Sequence, residues 1–364
     1  MSKNVFYTIG LLLVLSLAVL AGCSSEQSQS SNNETKTEKK EAAKSEDKGE
    51  VNLYTSRHYE IDDELFAAFT EQTGIKVNVV KGEENELIER LAREGDATQG
   101  DLFYTSDAGR LHWAKEKNLL QAVDSETVNA NIPENLRDKD KEWIGLTKRA
   151  RVIVYSKDRV KPEQLSTYED LTDAKWKGKV LVRPSDNVYN QSLLASFISL
   201  NGEDKAKEWA KGIVANMARD PQGGDRDQAK AIVAGEGDVA IMNTYYVGVM
   251  LNSEDPEEVK VAEKVGVFFP NQETNGTHVN VSGIGLTKHA KNKENAVKLI
   301  EFLSSEEAQG KFAEANYEYP ANPKVQPSEL LKSWGDFKPQ DLNLSELGEN
   351  NAAAVRMFNE VGWK

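Results

Sequence analysis

The chain has 364 residues, 59 of them acidic and 45 basic, for a formal net charge of −14. That balance excludes the basic patch nucleic-acid binding requires, while the acidity suits capture of a cation. A single cysteine, Cys23, excludes an internal disulfide, so a chain long enough for about two domains must be held by its core.

Lys3 gives a weakly positive start, and an apolar run from Ile9 to Leu20 is broken only by Gly10 and Ser16. The run ends in Leu20-Ala21-Gly22-Cys23, a secretory leader closing on small residues. An uncleaved membrane helix is the competing reading. The tetrad resembles the lipobox of bacterial lipoproteins, in which the cysteine is diacylated and becomes the mature N-terminus. Two acyl chains are what stable anchoring needs. Ser24 to Glu50 carries no aromatic or large aliphatic residue, so it cannot offset its ordering entropy and reads as a flexible tether.

Folded structure is expected from Val51. Val51-Asn52-Leu53-Tyr54-Thr55 alternates as a strand, and Ser56-Arg57-His58-Tyr59 forms a loop. A helix follows, with Glu60, Asp62 and Asp63 at its start, Leu65, Phe66 and Phe69 on its apolar face and Gly74 as its stop. A strand over 75–80, a helix over 84–93, a strand over 101–105 and a helix over 108–117 continue the alternation. The same grammar returns with a strand over 179–183, helices over 191–200, 205–215 and 228–234, and a strand over 238–243. A further core helix is expected within 288–309, with Ala296, Leu299, Ile300 and Leu303 at helical spacing. Alternating strands and helices indicate α/β architecture with mixed, mostly parallel sheets. Two extended segments, 150–155 and 278–283, are placed to cross between two halves and leave a cleft between them.

Signatures of catalysis are missing. The sequence has no phosphate loop, no Gly-x-Ser-x-Gly elbow, no His-Glu-x-x-His and no calcium loop, and its histidines are only His58, His112, His278 and His289. This predicts a binding protein rather than an enzyme. Three tyrosine-bearing segments stand out: His58-Tyr59, Asn187-Val188-Tyr189-Asn190-Gln191-Ser192 and Asn243-Thr244-Tyr245-Tyr246. Each follows a predicted strand, where loops of open α/β sheets line the binding crevice. A phenol, with a pKa near 10, is a poor ligand for most metals. A hard trivalent cation changes this by driving phenol to phenolate. Neighbouring tyrosines cannot face one site from a strand, but they can converge from a first helical turn. Edge packing is the plainer use of such a pair.

The segments Ser56-Arg57-His58-Tyr59, Trp143 to Arg151, Asn190-Gln191-Ser192, Asn243-Thr244-Tyr245-Tyr246 and Gly276 to Gly283 together resemble the ferric-binding proteins of bacterial ABC-type iron importers. The similarity is to the branch that contains the cyanobacterial iron-binding proteins, and it runs from about Val51 to Lys364. It implies a two-lobed periplasmic-binding-protein clamshell of the class II type. The expected division is 1–22 signal peptide, 23–50 lipidated cysteine and linker, 51–148 with 280–325 first lobe, and 149–279 with 326–364 second lobe. By the same resemblance, the metal ligands are Tyr59, Tyr189, Tyr245 and Tyr246, with His58 a ligand in some members only. Arg149 resembles a flanking arginine that would balance the excess negative charge of four phenolates on a trivalent ion; a plain interlobe ion pair is its other reading. The implied cargo is ferric iron, with ferrous iron also admissible. The implied partners are an ABC permease with its ATPase and the membrane that holds the lipid at Cys23, with the protein acting as a monomer. Two other readings fit the tyrosines: an organic cation such as a polyamine or thiamine stacked on aromatic faces, and a non-haem iron oxygenase, which would need open coordination positions.

Overall fold

The computed structural model describes residues 48–364. The leader, Cys23 and all but the last few residues of the tether lie outside these described residues. Among the described residues, no helix is long and apolar enough to cross a membrane.

Strand β1 (Glu50–Thr55) opens the fold one residue earlier than expected, with Val51 and Leu53 fully buried. Helix α1 (Glu60–Thr73) starts on the acidic cluster that complements its positive end and buries Leu65, Phe66 and Phe69. It stops at Gly74, whose φ of 75° belongs to the left-handed region where a residue without Cβ is unstrained. β2 (Lys76–Lys81), α2 (Glu84–Glu94), β3 (Leu102–Thr105) and α3 (Ala108–Glu116) follow the predicted order. After β4 (Leu120–Gln121) and α4 (Glu126–Asn131) comes the 14-residue strand β5 (Trp143–Ser156). The next stretch contains β6 (Val180–Leu181), α5 (Val188–Asn201), α6 (Glu203–Asn216), α7 (Asp225–Ala234), β7 (Val239–Asn243), α8 (Thr244–Leu251), α9 (Pro256–Glu263) and β8 (Val265–Phe268). Then β9 (Val279–Thr287), α10 (Lys293–Ser304), α11 (Glu306–Ala315) and β10 (Tyr319–Pro320) lead to α12 (Glu329–Ser333), α13 (Glu346–Glu349) and α14 (Asn351–Val361).

The strand order is β2-β1-β3-β9-β5-β7-β6. Pairing is parallel where a helix crosses over, at β1–β2, β1–β3 and β6–β7. It is antiparallel where β9 meets β3 and β5, and where β5 meets β7 and β8. The sheet is therefore mixed as expected, but parallel pairing dominates only inside the crossover units; the two long connecting strands bring the antiparallel pairs. The core helix predicted within 288–309 is two helices. Ser305 adopts an extended backbone and its hydroxyl accepts from Ala308 N, capping a new helix, α11.

β5 divides the molecule. Its first half pairs with β9 from Trp143 to Ala150, and its second half pairs with β7 from Arg151 to Tyr155. Trp143 and Leu146 join a core with Phe69, Phe103, Leu299 and Phe312. Past Ala150 the strand enters a second body covered on both faces. Ile153 packs with Phe197 and Trp209, while its neighbours Val152 and Val154 face Met242, Val247 and Met250. Alternating residues thus serve opposite layers. The chain returns between Phe269, still in the second body, and Val281 in the first core. Near the C-terminus Leu344 and Leu347 join the first core, whereas Phe358 and Trp363 join the second body. The result is two lobes joined through β5 and β9.

Candidate metal centre

Tyr59 is the last extended residue before α1, carried by the loop that leaves the carboxyl end of β1. Tyr189 is not in a loop, as the sequence reading had it. Asn187 accepts from Tyr189 N at 3.2 Å and starts α5 at Val188, so the tyrosine occupies the first helical turn. Tyr245 and Tyr246 occupy the first turn of α8, directly after β7. That is the setting in which neighbouring side chains can converge.

The structure brings these side chains to one place. Tyr59 Oη donates to Tyr245 Oη at 3.2 Å across the lobes, and Tyr245 Oη donates to Tyr189 Oη at 3.1 Å. The Tyr59 and Tyr245 rings meet edge-on at 82°, so their hydroxyls approach rather than their faces. The Tyr246 ring lies 4.2 Å from the Tyr245 ring between centroids. A cavity of about 380 Å³ beside them is lined by His58, Tyr59, Arg183, Asn187, Tyr189 and Tyr246. His58 is exposed, and its ring lies 4.8 Å from that of Tyr59.

Burial makes the phenols of Tyr59, Tyr245 and Tyr246 harder to ionise. Tyr59 is held well above its usual range by burial, then by Tyr189, Tyr246 and Glu318, with Arg57 opposing. Tyr245 is raised the same way by burial and by its three tyrosine neighbours, against Arg149. Tyr246 is raised by burial, Tyr189 and Asp225, against Arg183. The hydroxyls of Tyr59, Tyr245 and Tyr189 form a run of two hydrogen bonds. A multivalent cation placed among the oxygens would reverse the balance, because its attraction for each phenolate outweighs the phenolates' mutual repulsion. Among the described residues no group of three or more His, Cys, Asp or Glu side chains is arranged to hold a metal.

Arg149 stands where a charge-balancing group would. It is 2% exposed, 3.8 Å from Asp107, and its guanidinium lies 5.1 Å from the Tyr189 ring centroid. Its Nη1 is buried without a hydrogen-bond partner. Four further charged groups were missed from sequence. Arg151 and Arg183 also face the Tyr189 ring, at 5.7 and 5.3 Å, and Asp225 lies 3.2 Å from Arg151 and 3.6 Å from Arg183. On the other wall Arg57 lies 4.7 Å from the Tyr59 ring and is ion-paired to Asp62 at 2.9 Å and Glu318 at 3.2 Å. Arg57 and Arg151 sat inside conspicuous motifs; Arg183 and Asp225 carried no local signal.

Residues 64–339 match the model of a family described as bacterial extracellular solute-binding protein. The chain is 53% identical over 315 residues to iron uptake protein A1 of Synechocystis sp., covering 86% of this chain and 88% of that one. It is 26% identical to the major ferric iron-binding protein of Neisseria meningitidis, covering 86% and 93%. Among solved structures, a Trichodesmium protein in complex with iron and citrate ligands is 50% identical with a TM-score of 0.83, covering 87% of this chain and all of that one. A ferric binding protein from Campylobacter jejuni is 44% identical with a TM-score of 0.84, covering 86% and all of that chain. A two-lobed sheet fold, a polar cleft between the lobes and these relatives agree: the chain belongs to the bacterial extracellular solute-binding protein family.

Proposed function

We propose that this protein works outside the cytoplasm as a binding protein that captures ferric iron as cargo in the interlobe cleft and delivers it to an ABC-type permease. The ligands are the phenol oxygens of Tyr59, Tyr189, Tyr245 and Tyr246, with Arg149 supplying positive charge beside Tyr189. The observation that carries this reading is the run of hydroxyl contacts at 3.2 and 3.1 Å linking Tyr59, Tyr245 and Tyr189 across the two lobes. Three oxygens already strung together through Tyr245 need only part to admit a small hard ion. The edge-on meeting of Tyr59 and Tyr245 speaks against a box of aromatic faces for an organic cation. His58, exposed at the rim, is left as an accessory group. Relatives named for iron uptake and ferric binding point the same way.

The first lobe is taken as 51–148 with 280–325 and the second as 149–279 with the C-terminal segment 326–364, from which Leu344 and Leu347 pack back on the first lobe's core; β5 and β9 join the two. Cys23 is taken as the lipid-bearing residue, so the protein acts as a monomer tethered to the outer face of the cell membrane. A Cys23→Ala chain should leave the membrane fraction, and its retention there would contradict the anchor. The cleft is tested by titration with ferric citrate. Phenolate bound to ferric iron gives a visible charge-transfer band; saturable growth of that band is expected, and its absence on full loading would rule out tyrosine ligation.

A further inference from the structure

Between α11 and β10 the backbone holds a residue in an unfavourable state. Tyr317 has a φ of 52°, in the left-handed region that strains a residue with a Cβ. Its neighbour explains what fixes it there. Glu318 is buried and accepts from Arg57 at 3.2 Å, Thr147 at 2.8 Å, Ser282 at 3.1 Å and Asn316 at 2.7 Å. These bonds tie the segment to the first lobe and to the guanidinium facing Tyr59.

Tyr317 meets the other lobe. A Cβ added at Gly248, on α8, would lie 2.6 Å from both Cβ and Cγ of Tyr317. Rotating the tyrosine cannot relieve that overlap, because its Cβ is fixed to the backbone. Gly248 stands three residues after Tyr245 and two after Tyr246 on the same helix, and glycine inside a helix is itself unfavourable. Two local costs, a left-handed tyrosine and a mid-helix glycine, therefore coincide at one interlobe contact.

We propose that Tyr317 against Gly248 is the stop that sets how far the cleft closes. It fixes the approach of α8 to the first lobe and so brings Tyr245 to within contact of Tyr59. Tyr317 and Gly248 are positioning residues and touch no cargo. This inference rests on the reading that the cleft closes on a cation.

The test compares the full chain with Gly248→Ala and with the double variant Gly248→Ala/Tyr317→Gly. Ferric citrate titration followed by the charge-transfer band, small-angle scattering of the loaded protein and thermal unfolding of the iron-free protein are measured for each. Gly248→Ala should unfold at an unaltered or slightly higher temperature when iron-free, since alanine is the better helix former, bind iron at least about tenfold more weakly, and stay more open when loaded. The double variant should regain most of the affinity and compactness, since glycine accepts a φ of 52° and removes the opposing Cβ. Unaltered affinity and compactness in Gly248→Ala, an equal fall in iron-free stability, or a double variant no better than the single one would each overturn the stop. An unaltered chain that develops no band would remove the cation reading itself and the stop with it. An unaltered chain that binds iron beside a Gly248→Ala chain that binds it equally removes only the stop.

Discussion

On the first-lobe wall, Tyr59 lies over Arg57, whose guanidinium is already engaged by Asp62 and Glu318. On the second-lobe wall, Tyr189 lies among Arg149, Arg151 and Arg183, with Asp225 the carboxylate that faces Arg151 and Arg183; Asp107, 3.8 Å from Arg149, comes from the first lobe. One wall sets two carboxylates against one guanidinium; the other sets three guanidiniums against one carboxylate of its own. Negative charge gathered in the cleft therefore meets surplus guanidinium on the second wall and an already paired guanidinium on the first. The contrast assigns an order of events. With the proposed ligand set, the second lobe's Tyr189, Tyr245 and Tyr246 would capture the cation while the cleft is open. Tyr59 would then arrive as the closing ligand, because only the closed form lets one ion touch both walls and a ligand shifts an equilibrium by its differential affinity for the two states.

The largest expected effect tests the first wall as structure. Arg57→Leu would leave Asp62 and Glu318 buried without their cation, and breaking such a pair by removing one partner costs about 3–5 kcal/mol. Chemical denaturation of the iron-free chain should show that loss, and a change below about 1 kcal/mol would mean that the carboxylates are not held charged by Arg57. Next comes the second wall as capture site. Tyr189→Phe keeps the ring and deletes one oxygen, so iron affinity should fall by roughly a hundredfold or more with the iron-free fold intact. An unchanged titration would move the capture site elsewhere.

A pH effect, small near neutrality and growing in acid, probes the burial of His278 beside the second wall. Burial pushes its imidazole down to about 3, aided by Arg149 and Arg151, while its Nδ1 contact with Gln340 at 3.1 Å opposes the shift. Unfolded, the ring takes up a proton near pH 6.5. Between those values the unfolded chain binds a proton that the folded chain does not. The contribution of His278 is therefore complete above about pH 6.5 and is lost as pH falls toward about 3, by up to about 1.4 kcal/mol per unit. His278→Gln should flatten that acid arm of the stability profile; an arm of equal slope would show that the site carries no such penalty.

Much of this was legible in the sequence because it depends on local pattern. Alternation marked β1, acidic residues and Gly74 framed α1, and the position of Tyr59, Tyr189 and the Tyr245-Tyr246 pair after strands placed them at one edge. The start of α8 was not legible, since Asn243 provides no side-chain cap bond and Thr-Tyr-Tyr-Val is as apt for a strand as for a helix. The break at Ser305 was hidden by an apolar spacing that runs on through it. Arg183 and Asp225 meet partners distant in the chain within one lobe, and Tyr317 meets Gly248 only across the two lobes; no local spacing rule reports either.

The order of capture is tested most directly in Tyr59→Phe, in a chain starting near Glu50 so that the tether adds no scatter. Iron loading of the unaltered chain should shrink its radius of gyration as the cleft closes. Tyr59→Phe should still develop the charge-transfer band, since the second-lobe tyrosines remain, but should contract much less. A Tyr59→Phe chain that loses the band altogether, or one that contracts as fully as the unaltered chain, would contradict capture by the second lobe and closure by Tyr59.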